Sequence, residues 1–131
     1  MQAILLIAHG SRLAKSNEEV LSIGEHLQRA DNSFVAVGFL ELAEPSIPTA
    51  ARLCVSSGAS EILMMPFFLS PGRHVTNDLN AWQADLNTEF PHVNFQLCSH
   101  LGTHPAMIQI VRDRLNESRH ELSDHRPHQP E

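Results

Sequence analysis

Cysteine is scarce in this chain. Cys54 and Cys98 are the only two in 131 residues. They lie far apart, outside any metal-spaced motif and in apolar contexts, so they read as buried thiols and not as a cysteine-built metal centre. Long apolar runs are missing as well: none approaches the ~20 residues that span a bilayer. The opening run Met1 to Ala8 is too short for a signal peptide and has no basic leader, so a soluble cytoplasmic protein is expected. Positive charge is also in deficit. A formal charge of -6 argues against general binding to nucleic acid or to a membrane surface. It leaves room for a local basic pocket near Arg12 and Arg73. No Gly-x-x-x-x-Gly-Lys phosphate loop and no Gly-x-Gly-x-x-Gly fingerprint occur, and Ser11 lacks the Gly-x-Ser-x-Gly setting of an activated nucleophile.

What is present is one alternating pattern. Ala3 to Ala8 is continuously apolar, as a strand buried on both faces should be. Ser16 and Glu19 have capping-box spacing before a helix carrying Val20, Ile23 and Leu27. Phe34 to Leu40 is a second strand. Ser46 caps a helix from about Ile47, with Pro48 in its first turn, Ala50, Leu53 and Cys54 as its inner stripe and Gly58 as its stop. Glu61 to Pro66 is a third strand, Val75 to Glu89 a third helix with Leu79, Trp82 and Leu86 on one face, and Asn94 to Cys98 a fourth strand. Pro105 opens a last helix with Ile108, Val111 and Leu115 facing inward. From about His120 the chain is polar and reads as a flexible tail.

The length and the 42% hydrophobic content suit one domain, residues 1–119, with the tail at 120–131. Strands joined by helical crossovers imply an α/β three-layer sandwich with a four-stranded parallel sheet. The usual order for such a chain is 2-1-3-4. That order makes strands one and three neighbours, with a ligand crevice at their carboxyl ends.

His9 follows strand one and His74 ends the loop after strand three, so this order brings both to the crevice. Glu41 follows strand two on the other side. Two imidazoles and a carboxylate suit a divalent first-row metal while leaving coordination positions open, and a neutral imidazole can equally accept a proton. Each residue alone has a plainer reading, as a histidine bonding a loop carbonyl or a solvated carboxylate. Their convergence at one crest favours a functional site. His100 and His104 fall in a turn leading into a helix, and His120, His125 and His128 lie in the polar tail. Phosphohistidine phosphatases place an arginine before such a His-Gly pair; Ala8 stands there here, which weakens a phosphoryl-transfer reading.

Four blocks carry a resemblance to a known family. Ala8-His9-Gly10-Ser11-Arg12, Phe39-Leu40-Glu41 with Glu44-Pro45-Ser46-Ile47, Pro66 to Val75, and Leu101-Gly102-Thr103-His104-Pro105 resemble the sirohydrochlorin chelatases, in order and in register. The resemblance implies a class II chelatase fold and insertion of Co²⁺ or Fe²⁺, or Ni²⁺ in some archaeal relatives, into sirohydrochlorin in cobalamin or sirohaem biosynthesis. It implies a short form acting as a homodimer, with the metal as substrate and no permanent cofactor. His9 and His74 map to its metal-site histidines and Glu41 to its active-site glutamate. Arg12 and Arg73, with Ser11 and Ser70 beside them, are candidates to meet the substrate's carboxylates. The rival readings are a non-catalytic metal or tetrapyrrole carrier and, further off, a phosphatase-like hydrolase.

Overall fold

The structure is a computed structural model that describes residues 1–125. Strands and helices alternate as β1 (Gln2–Ala8), α1 (Ala14–Asp31), β2 (Phe34–Phe39), α2 (Ile47–Ser56), β3 (Glu61–Pro66), α3 (Arg73–Glu89), β4 (Asn94–Leu97) and α4 (Met107–His125). Two compact units result, Met1–Leu101 and the residues from Gly102 onward. The first holds the whole sheet, in the order β2-β1-β3-β4, with every pairing parallel. The predicted architecture and strand order are those observed.

β1 is central because its sequence tolerates nothing else. Every residue from Ala3 to Ala8 is buried, so both faces must be covered. Ala3, Leu5 and Ile7 pack with Ile47, Ala50 and Cys54 of α2 and with Leu79 and Leu86 of α3. Leu6 and Ala8 join Val37 and Phe39 on the opposite face, where Val20 of α1 packs. Right-handed crossovers require this division: the chain moves one way from β1 to β2, then reverses to reach β3 and β4. Gly24 lets α1 approach the sheet closely, since a β-carbon there would stand 2.9 Å from Val37 Cγ2.

At each edge of the sheet an amide side chain bonds the backbone of one edge-strand residue. On β2, Gln28 Oε1 accepts the Val35 N–H at 3.0 Å. On β4, Asn87 accepts the Phe95 N–H at 2.9 Å and donates to its carbonyl at 3.2 Å, while Gln83 donates to the same carbonyl at 2.9 Å. Edge groups satisfied in this way cannot template another strand.

Several local expectations differ from the structure. α1 begins at Ala14 with Leu13 at its N-cap and no side-chain cap, so Ser16 lies inside the helix and the Ser16–Glu19 capping box does not form. Upstream bonds anchor this start instead, as described below. Ile23 is exposed, and Gly24 faces the sheet in its place. In α2 the Ser46 hydroxyl accepts the Thr49 N–H as predicted. Its inner stripe, however, is Ile47, Ala50, Ala51 and Cys54, with Leu53 half exposed; the small Ala51 fits against the sheet where leucine would not. α3 starts two residues earlier than expected. α4 continues to His125, past the expected limit near Arg119, and its Ile108, Val111 and Leu115 are exposed, not inward-facing. His128 and the rest of the expected tail beyond residue 125 lie outside the described residues.

Candidate functional site

Parallel pairing puts the loops after β1, β2 and β3 on one edge of the sheet, with β1 in the middle. The ladder continues beyond the strands. Leu40 N–H donates to the Ala8 carbonyl at 2.9 Å, Glu41 N–H to the His9 carbonyl at 3.1 Å, and Phe67 N–H to the Ile7 carbonyl at 2.7 Å. These bonds bring the loop after β2 alongside His9. The Glu41 carboxylate Oε1 then lies 2.9 Å from His9 Nε2. Both side chains are more than half exposed, so the pair faces solvent and not the core.

Gly10 makes the approach possible. Its φ is +94°, and a β-carbon at this position would collide with the Glu41 carbonyl oxygen. Only glycine fits both the backbone angle and the gap.

Asn17, in the first turns of α1, secures the same loop. Its Oδ1 accepts the Ser11 N–H at 2.9 Å, and its Nδ2 donates to the Ser11 carbonyl at 2.8 Å. The Ser11 hydroxyl in turn accepts the Leu13 N–H at 3.0 Å. Two residues after His9 the backbone is therefore held from both sides. Sequence reasoning missed Asn17. The available signal was an asparagine, a poor helix former that readily bonds nearby backbone, just inside a helix that follows a candidate catalytic loop.

His74 occupies the first turn of α3, not the loop before it, and it is exposed. Among the described residues no group of three or more His, Cys, Asp or Glu side chains is set to hold a metal ion. The structure thus joins His9 to Glu41; His74 follows β3 on the same edge of the sheet and, among the described residues, is not grouped with the pair as a metal-holding set. Arg12, Arg73 and Ser70 are exposed at this edge too. His104 takes part in a turn, its Nδ1 accepting the Ala106 N–H at 3.0 Å. Cys54 is fully buried, and burial pushes its thiol up to about 11, with a backbone hydrogen bond at Ala36 opposing only part of that shift. Burial raises the Cys98 thiol as well. Neither cysteine is placed for nucleophilic work.

The pair's chemistry follows from its geometry. A neutral His9 donating Nε2–H to the Glu41 carboxylate leaves the Nδ1 lone pair outward, free to bind a cation or take a proton. The carboxylate fixes the ring's orientation.

Comparison with known proteins agrees with this picture. Residues 3–118 match the CbiX family. The chain belongs to the CbiX family. It is 36% identical over 115 residues to the chloroplastic sirohydrochlorin ferrochelatase of Arabidopsis thaliana, an alignment covering 86% of this chain and 50% of that protein. The crystal structure of the CbiX protein from Marinobacter aquaeolei VT8 superposes with a TM-score of 0.82 at 28% identity, covering 92% of this chain and 99% of that one. The sirohydrochlorin chelatase SirB from Bacillus subtilis subspecies spizizenii, solved in complex with cobalt, gives a TM-score of 0.79 at 30% identity, covering 88% of this chain and 50% of that one. The chain spans about half the length of the curated relatives it matches. No helix of this CbiX-family chain is long and apolar enough, among the described residues, to cross a membrane.

Proposed function

We propose that this chain inserts a divalent metal ion, Co²⁺ or Fe²⁺, into sirohydrochlorin, acting in the cytoplasm as a homodimer. The observation that carries the reading is the His9–Glu41 pair at 2.9 Å on the crest of a CbiX-family sheet. The relatives' names supply the substrate class: a sirohydrochlorin ferrochelatase and a sirohydrochlorin chelatase crystallised with cobalt. One open crest leaves much of a macrocycle uncovered, and a second subunit supplies a facing wall.

Insertion exchanges two pyrrole N–H protons for one dication, so the site must deliver metal and remove protons. His9 Nδ1, set outward by the Nε2–Glu41 contact, holds the incoming ion or receives a pyrrole proton. Glu41 keeps the imidazole in the required tautomer and accommodates the positive charge that develops on protonation. His74, from the start of α3, provides a second imidazole at the same edge. Arg12 and Arg73 attract the substrate's carboxylates, and the Ser70 hydroxyl lies with them. Ser11 contributes mainly through its backbone, which Asn17 fixes. Co²⁺, Fe²⁺ and Ni²⁺ accept the same ligands, so supply and geometry select among them.

The test is spectrophotometric. Anaerobic protein is mixed with sirohydrochlorin and each metal in turn, and the change in the ring's absorption is followed. The expected result is accelerated formation of the metallated ring with Co²⁺ or Fe²⁺, lost in His9→Ala and His74→Ala proteins that keep their fold. Binding of ring and metal without acceleration overturns the enzyme reading in favour of a carrier.

A further inference from the structure

Three leucines on the loops of the edge that carries the His9–Glu41 pair join neither core cluster. Leu13 is 63% exposed, Leu42 52% and Leu69 63%. They come from the loops after β1, β2 and β3, so the parallel topology sets all three along the one edge that carries the candidate site. A single exposed leucine is ordinary; three on separate loops at one functional edge form a patch.

Local structure argues against two of them. Leu13 holds the N-cap of α1 with φ -83° and ψ 107° and offers no side-chain cap. Serine, threonine, aspartate or asparagine in that conformation would accept a bond from the first turn. Leu42 sits at φ 64°, a left-handed conformation in which asparagine or glycine is relaxed and leucine is strained. Both positions therefore carry a residue worse for the fold than a polar one, and neither is buried in the core in return. Local rules broken without a packing return mark functional sites.

Neighbouring charges identify the occupant. Arg12 precedes Leu13 directly, and Arg73 opens α3 shortly after Leu69. Both are exposed, and among the described residues neither joins an ion pair. An apolar patch flanked by guanidinium groups, beside an imidazole–carboxylate pair, complements a flat conjugated ring with an apolar face and carboxylates at its rim. Resting on the chelatase reading, we infer that Leu13, Leu42 and Leu69 form the platform on which the face of the tetrapyrrole lies. The leucines then set affinity for the ring, and the His9–Glu41 pair acts on the metal.

The test is a titration of sirohydrochlorin alone into metal-free full-length protein, read by the ring's absorbance. It compares wild type with Leu13→Ser, Leu42→Asn, Leu69→Ser and the triple variant. Each single change is expected to weaken ring binding by about tenfold, the cost of losing one leucine's burial. Affinity for Co²⁺ alone stays within about twofold. The Tm of Leu13→Ser and Leu42→Asn holds or rises, because both changes suit the local backbone, so weakened binding cannot be ascribed to misfolding. Unchanged ring affinity in the triple variant overturns the platform. A change in oligomeric state by light scattering, with ring affinity unchanged, also overturns it and assigns the patch to a second copy of the chain. A wild type that binds the ring yet inserts no metal leaves the platform standing and defeats the chelatase reading; one that binds no ring defeats both.

Discussion

Glu41 meets His9 twice: its backbone N–H donates to the His9 carbonyl at 3.1 Å, and its carboxylate lies 2.9 Å from the His9 ring. The main-chain bond sets the position of the glutamate, so the side-chain contact needs no further ordering of the loop. The imidazole is thereby directed by an element remote in sequence and adjacent only through parallel pairing.

Glu41→Gln separates charge from shape. The amide can still contact His9, but it cannot offset a positive imidazole. Metal insertion is expected to fall by about 10–100-fold, the usual effect of losing a carboxylate behind a functional histidine. The melting temperature should stay nearly constant, because an ion pair this exposed contributes little to stability. Stopped-flow insertion rates and thermal melts check both halves. A large loss of Tm with an unchanged rate would make Glu41 a structural residue.

Gly10→Ala tests the close approach. The substitution forces a β-carbon into the Glu41 carbonyl and puts a side chain at φ +94°. Strain of this kind costs roughly 1–3 kcal/mol, and the collision adds to it. The loop can relieve the clash only by moving His9 away from Glu41. Chemical denaturation should show the loss of stability, and insertion activity should fall further than stability alone accounts for. Full activity in Gly10→Ala would mean that the separation of these two loops does not matter.

Asn17→Ala releases Ser11. Two hydrogen bonds to the loop backbone disappear, with an expected cost of about 1–3 kcal/mol. Asn17→Asp is the sharper variant: it keeps the acceptor for the Ser11 N–H and sets a carboxylate oxygen against the Ser11 carbonyl. Both variants should lose insertion activity, and Asn17→Asp should not restore it. Faster amide hydrogen exchange at Ser11 in either variant would show directly that the loop after β1 has loosened.

Much of this was legible in the chain. The unbroken apolar run from Ala3 to Ala8 can be satisfied only at the centre of a sheet, and helical crossovers then leave little freedom in strand order. His9 and Glu41 each follow a strand directly, so topology alone brought them together. The start of α1 was hidden because its anchor is Asn17 bonding back to Ser11, a contact that hydrophobic periodicity does not register. Leu53 shows a second limit. Spacing marks a helical face, but the sheet decides which flank is covered, and it chose Ala51. Leu13 and Leu42 were not legible: neither the N-cap position of the one nor the left-handed backbone of the other follows from hydrophobic spacing.

The Cys54 thiol packs at full burial beneath β1 and donates to the Ile4 carbonyl at 3.6 Å. Burial raises its folded value from 9.0 to about 11. The sign follows from proton binding: between these values the folded chain keeps the proton while the unfolded chain has released it. The contribution to stability is therefore complete below pH 9.0 and is lost as pH rises toward about 11. A shift of this size is on the order of 2–3 kcal/mol. The measurement is a difference, urea unfolding of wild type and Cys54→Ala across that window, so that contributions from the rest of the chain cancel. The wild type should lose stability more steeply with pH than the variant. Chemical reactivity gives an independent check, since only thiolate attacks an alkylating reagent. Iodoacetamide should modify the half-buried Cys98 well before Cys54 in the native protein, and both readily after unfolding. Equal native rates would mean that the α2–β1 interface opens far more often than its packing implies.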